Sequence, residues 1–203
     1  MIRKINLHVA FLMAVCLAVF LIKCMIVYPI EYVGHADASA YAEMADSLIH
    51  GRGFEVDYIS WYFIKYPKIV RPEDHWPPLY SIAIAPFFLI LGKTAFAAKL
   101  PSLIISCFLI PLVVYSLARE LSDSRFPGVA AGVGALLYPE IFGWSLHCLS
   151  DILYSFVVCA FVLFSAKALD NEKAFYPAGI FMGLAYYAKG SGLVLIPAHI
   201  LFH

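Results

Sequence analysis

The sequence predicts an all-α, polytopic integral membrane protein with about six to seven hydrophobic helices, and an outer first loop that carries an interfacial amphipathic helix. Three observations predict it. Hydrophobic residues make up 63% of the chain and charged residues 14%, where an ordinary soluble domain carries about 25% charged residues. Apolar runs of near-spanning length recur from end to end, separated by short polar joints. The charge that remains is concentrated, because the stretch from Glu31 to Trp76 holds eight of the fourteen acids.

The first run, Ile5 to Pro29, is too long for a signal-peptide core and is followed by no small-residue cleavage site. It reads as a retained transmembrane helix, with Arg3 and Lys4 holding the N-terminus in the cytoplasm. The polar excursion 31–76 has only four bases, Arg52, Lys65, Lys68 and Arg71. A base-poor loop after a cytoplasmic N-terminus belongs on the extracytoplasmic side. Apolar segments follow at about 78–92, 100–118, 127–144, 152–167, 176–188 and 192–203. The last is only 12 residues long, where about 20 are needed to span. The chain is therefore expected to stop inside a helix, as an N-terminal portion of a longer protein. With no linker, low-complexity tract or repeat, residues 1–203 read as a single transmembrane domain.

Charge marks the joints, with a conflict. Lys93 with Lys99, Arg119 with Arg125, and Lys167 with Lys173 each mark a cytoplasmic joint. If segments 78–92, 100–118 and 127–144 all cross, the joint near Asp151 lies inside; if that joint lies outside, one of the three does not cross. Segment 78–92 is the shortest and opens with Pro77-Pro78.

Within the loop, Asp37 sits where an N-cap would, before Ala38 to His50 and then Gly51. Tyr41, Met44, Ala45 and Leu48 form one apolar stripe at i, i+3/i+4, i+7 spacing, with Glu43, Asp46, Ser47 and His50 largely opposite. Thirteen residues at about 1.5 Å each cover only about 20 Å, too little to cross a bilayer. The helix is expected along the interface, apolar face down, holding Asp37 at the outer mouth of the first helix.

Net charge is zero, so nothing attracts nucleic acid globally. The five cysteines lie in or beside apolar segments without a CxxC pair, which fits buried thiols better than a disulfide or a zinc site.

Five pieces occur in a telling order: "DASAYAEMADSLIHGRGF", "HWPPLYSIAIAPFFLILG", "AKLPSLIISCFLIPLVVYSLAREL", "LSDILYSF" and "GLAYYAKGSGLVLIP". In that order the chain, from about residue 5 to 203, resembles the C-type membrane glycosyltransferases, notably the protein O-mannosyltransferases and the lipid A aminoarabinose transferases. The resemblance implies transfer of a sugar from a polyprenyl-phosphate carrier to an acceptor on a lipid, glycan or protein at the extracytoplasmic face of the cell (inner) membrane. It also implies that Asp37 is the catalytic base, that Asp151 faces the same cavity, and that Lys189 contacts the carrier phosphate. Tyr41 matches the family pattern but also completes the apolar stripe. Where the lipid A branch places a carboxylate and a lysine before the two prolines, this chain has His75 and Trp76, which leaves Lys65, Lys68 or Arg71 to reach in from the loop.

The chemistry agrees with that implication. Transfer to a hydroxyl needs a carboxylate to take its proton, and a departing lipid phosphate needs cationic or metal stabilisation. Asp37, Glu73, Asp74 and His75 offer ligands for a divalent cation, although a solvated charge cluster is the simpler reading, and whether a metal takes part stays open. For Asp151 the alternative is an N-cap shared with Ser150, and for Lys189 an ordinary snorkelling lysine. Lys23, inside the first helix, reads as snorkelling, and His35 as a loop histidine. The competing classes are a transporter or lipid flippase, disfavoured because the acids gather in an outer loop, and a catalytically inactive fragment of the same fold.

Overall fold

The computed structural model describes residues 7–34, 36–59, 65, 67–122 and 124–202. The protein is an all-helical integral membrane protein, and three of its helices are long and apolar enough to cross a membrane. Arg3, Lys4 and His35 lie outside the described residues.

The first spanning helix, α1 (Leu7–Val27), has neither glycine nor proline within it and ends just before Pro29. Its 21 residues reach about 31 Å, the thickness of a bilayer's hydrocarbon core. Phe11, Leu17, Leu21, Ile22 and Met25 are exposed on it, as a lipid-facing surface requires. Next comes α2 (Ala36–Ile49), closed at Gly51, whose φ of +73° suits glycine. There Gly51 N–H bonds Leu48 O and Arg52 N–H bonds Ser47 O, a glycine-led helix stop. A two-residue antiparallel ladder, β1 (Glu55–Val56) with β2 (Arg71–Pro72), folds the loop back and buries Val56.

α3 (Leu79–Leu91) starts behind Pro77-Pro78, contains Pro86, and stops at Gly92. It resolves the charge conflict. Immediately after it, Lys93 Nζ donates to Glu43 Oε2 at 2.7 Å and to Asp46 Oδ2 at 3.2 Å, both on α2. Both ends of α3 therefore lie at the α2 end of the bundle, and α3 does not cross. Lys99 is held at that end too, buried with Nζ donating to Ile30 O at 3.4 Å. Lys93 and Lys99 thus share an end with the loop 31–76, so reading them as cytoplasmic markers and reading that loop as extracytoplasmic exclude each other. A count of bases cannot see that one lysine is paired and the other buried.

From there α4 (Ala95–Ile104) and α5 (Ile110–Glu120) run as one length of helix, joined by a single π-helical turn at Ile105–Leu109. Pro111 explains that turn. It has no N–H for the carbonyl of Cys107, and its ring would strike that carbonyl in a regular helix. Instead Ile110 N–H bonds Ile105 O, one residue further back than usual. α6 (Arg125–Leu137) returns, and the predicted segment 127–144 breaks at Pro139 into α6 and the short α7 (Pro139–Trp144). α8 (Ser150–Ala168) descends, α9 (Phe175–Ala188) comes back, and α10 (Leu195–Phe202) follows a 3-10 turn at Gly190–Val194.

Packing differs between the two environments. α5 meets α6 where a β-carbon on Gly128 would come 2.8 Å from the Arg119 side chain and 3.0 Å from the Tyr115 ring. On Gly132 it would come 3.0 Å from Pro111 O and 3.1 Å from Leu12. Small residues at a close crossing are what helix association in lipid relies on. At the α2 end water supplies a driving force. There Tyr41, Met44 and Ala45 of the predicted stripe are buried with Tyr80, Ile84, Phe88, Cys148 and Ile152. Each large apolar side chain moved out of water stabilises the packing by about 1.5–3 kcal/mol. The apolar face of α2 is indeed turned down, onto the end of the bundle.

Candidate active site

Two carboxylates stand in first helical turns at this end, Asp37 on α2 and Asp151 on α8. A helix N-terminus favours negative charge through its unpaired N–H groups and dipole. Both acids are half-buried. α2 begins at Ala36, so Asp37 is its second residue rather than the residue that precedes it. Asp151 is not an N-cap either, because Leu149 holds that position without a side-chain cap bond.

Ser150 has another partner. Its hydroxyl shares a 2.9 Å hydrogen bond with the Tyr41 phenol, tying α2 to the start of α8. The joint between α7 and α8 is bound to the loop as well: Cys148 N–H donates to Val33 O at 3.1 Å. His147 lies against Gly34, where a β-carbon would meet its Nδ1 at 3.6 Å. These contacts draw the segments of Asp37 and Asp151 together. Tyr41 registers it: burial pushes the phenol up to about 12 against the easing bond from Ser150, and the charges of Asp37 and Asp151 both add to the rise. Burial likewise pushes the Cys148 thiol up to about 12, which removes a thiolate nucleophile from this end.

Lys189 completes the group. It caps α9 in extended conformation, and its Nζ donates to Asp151 Oδ1 at 2.5 Å. Gly192 makes this possible, because a β-carbon there would come within 2.4 Å of Ala185 C and 2.5 Å of Tyr186 N. Only glycine lets the 3-10 turn fold onto the end of α9 and aim Lys189 at α8.

Other predicted residues are placed apart from this group. Lys65 is exposed. Arg71 lies 3.8 Å from Glu73 Oε2, and Glu73 Oε1 accepts from His75 N–H at 2.9 Å. The His75 ring stands edge-on to Trp76, which packs in turn against Tyr41. Among the described residues no three His, Cys, Asp or Glu side chains are grouped to hold a metal ion. Asp37, Glu73 and His75 therefore do not come together as a ligand set, and no step is assigned to a cation.

Lys23 does not snorkel. It is fully buried, with Nζ donating to Ser145 Oγ at 2.8 Å and to Ser106 Oγ at 3.2 Å, and it stands 4.6 Å from the centre of the Phe142 ring. Both serines donate their own protons to carbonyls, Ser145 to Phe142 O and Ser106 to Leu103 O. Their lone pairs are left to accept from the ammonium. Sequence reasoning missed this tie between α1, the π-helical turn and the α7–α8 joint, as it missed the bond of Ser150 to Tyr41 and the place of His147. A lysine in an apolar run was the one available signal.

The comparisons with known proteins bear on the same residues. Among curated proteins, and among solved structures, none matches. A family model, dolichyl-phosphate-mannose-protein mannosyltransferase, matches residues 75–203, more than half of the chain and including Asp151 and Lys189, while Asp37 and Tyr41 lie upstream of it. With an all-helical membrane bundle of the kind expected, that match makes the chain a member of the dolichyl-phosphate-mannose-protein mannosyltransferase family, glycosyltransferases of the C type.

Proposed function

We propose that the protein transfers a sugar from a polyprenyl-phosphate carrier to a hydroxyl acceptor at the extracytoplasmic face of the membrane, with Asp37 as the base. The observation that carries this reading is the gathering of Asp37, Asp151 and Lys189 around the Tyr41–Ser150 bond at one end of the bundle. In the step, Asp37 accepts the proton of the acceptor hydroxyl as its oxygen attacks the anomeric carbon. The bond from that carbon to the phosphate oxygen breaks, and the phosphate keeps the electron pair. Lys189, paired with Asp151, supplies positive charge for the phosphate as it departs. Asp151 holds Lys189 in place until a phosphate competes for it.

The test uses the full chain in lipid nanodiscs with a panel of polyprenyl-phosphate sugars, product being read by mass spectrometry. Transfer that falls by about 10²–10⁴-fold in Asp37→Asn, as expected for loss of a general base, supports the assignment. Undiminished transfer overturns it.

A further inference from the structure

An open groove of about 470 Å³ lies between α7 and α8, within the size range of small-molecule sites, and the transfer step as described leaves it unassigned. Its head carries Tyr138, Glu140 and Trp144 together with Asp151. From Asp151 it runs down one face of α8 past Ser155 to Val158 and Cys159, at i, i+4, i+7/i+8 spacing, or about 12 Å along the axis. Below the head the lining is mostly apolar, its polar atoms being the Tyr154 phenol, the Ser155 hydroxyl and the Cys159 thiol. The Ser155 hydroxyl already donates to Asp151 O at 2.8 Å. The groove is thus polar and aromatic at the end of the bundle and apolar toward its middle.

We infer that this groove seats the acceptor, and that the acceptor is a glycolipid: an uncharged sugar headgroup on a hydrocarbon anchor. The inference rests on the reading of the protein as a sugar transferase and names the acceptor of that same site. Charge decides between the two lipids such an enzyme handles. Glu140 and Asp151 are both carboxylates of the lining, and Lys189, which offsets Asp151, is not part of it. A phosphate headgroup beside Glu140 meets like charge, whereas sugar hydroxyls meet acceptors, since each carboxylate offers lone pairs to neighbouring hydroxyl donors. Tyr138 and Trp144 are 52% and 48% exposed, and the C–H face of a pyranose packs on an aromatic face of that kind. Asp151, touching Lys189 on α9 and the groove at once, stands where the carrier side and the acceptor side meet.

The experiment is photolabelling of the full chain in nanodiscs with three probes carrying a diazirine on the chain: an octyl glucoside, the matching sugar-free alkanol, and a farnesyl phosphate. Labelled peptides are mapped by mass spectrometry. The glucoside is expected to label residues 152–159 several-fold more strongly than either other probe. Glu140→Gln, an exposed substitution that should not disturb folding, and Trp144→Ala are each expected to lower that labelling several-fold. Equal labelling by the alkanol, stronger labelling by farnesyl phosphate, or labelling indifferent to both substitutions overturns the inference. The readout needs no turnover, so its outcome is separate from that of the transfer assay. Labelling without sugar transfer counts against the proposed function alone, and transfer to peptides without groove labelling counts against the groove alone.

Discussion

The two ends of the bundle are built by different kinds of contact. At the α2 end, side chains bond across long stretches of sequence: Lys93 to Glu43 and Asp46, Lys189 to Asp151, Tyr41 to Ser150, and Lys23 to Ser145. At the opposite end several polar contacts are local, although the His199 ring packs across the sequence against Phe161 and Phe175. Ser122 donates to Ala118 O, Ser124 and Asn171 accept from backbone N–H groups two residues on, and Lys167 lies near the ring of Phe164. Local caps need only short-range sequence and make interchangeable turns. Distant pairs hold separate helices in one geometry, which a reaction centre requires. The α2 end is where side chains from separate helices are tied together, as the proposed reaction centre would need.

That contrast can be broken or sharpened by substitution. The largest effect expected is on transfer, where Asp37→Asn loses about 10²–10⁴-fold and Lys167→Met at the other end loses nothing measurable in the same assay. Lys23→Ala comes next, because it opens space in the core and leaves two serine acceptors without a donor. It should cost about 2–4 kcal/mol, read as a lower midpoint of thermal unfolding in detergent, with Lys23→Met recovering the part due to volume. Gly192→Ala forces the 3-10 turn off α9, at about 1–3 kcal/mol. It should also loosen the Lys189–Asp151 contact, read as faster reaction of the half-exposed Lys189 with amine-reactive labels than in wild type.

Smaller effects sharpen the picture. The Tyr41 phenol has its proton affinity raised from 10.0 to about 12 in the folded protein, chiefly by burial. A group raised on folding lends stability that is complete below its unfolded value and lost as pH climbs through the folded one. Unfolding should therefore become easier between about pH 10 and 12, and Tyr41→Phe should blunt that slope. A fit showing the same alkaline slope in the variant would remove Tyr41 from this account. Smallest of all, Lys93→Met releases an ion pair whose lysine is 49% exposed. Such pairs are worth no more than about 1 kcal/mol. The expected sign is faster hydrogen exchange at residues 92–94, with global stability nearly unchanged.

Much of the fold is legible in hydropathy alone. The runs 5–29, 152–167 and 176–188 match α1, α8 and α9 to within a few residues, and Tyr41, Met44 and Ala45 of the α2 stripe are buried, whereas Leu48 is half-buried and Ser47, expected opposite, is buried. What hydropathy could not tell is whether α3 crosses. Its 13 residues, mostly apolar, look alike whether they face lipid or the underside of α2, and only the bonds of Lys93 decide. Lys23 misled for a related reason. Its partners lie 83 and 122 residues away, and nothing near it in the chain announces them. Of the candidate site, Asp37, Asp151 and Lys189 were readable through order and resemblance. The seat between them, made by Ser150, His147 and the close approach at Gly192, depends on how distant segments are stacked.

Because α3 begins and ends on one side of the bundle, its length answers to α2 and α4 and not to the thickness of the host bilayer. A change of a few ångströms in that thickness must be absorbed by α1, α4–α5 and α8, through tilt or local lipid deformation. The cap of α2 and α3 is anchored to the ends of those helices and travels with them. Asp37 thus keeps its distance from Asp151 while its height above the lipid changes, and the same assembly can serve thin and thick membranes without refitting its carboxylates.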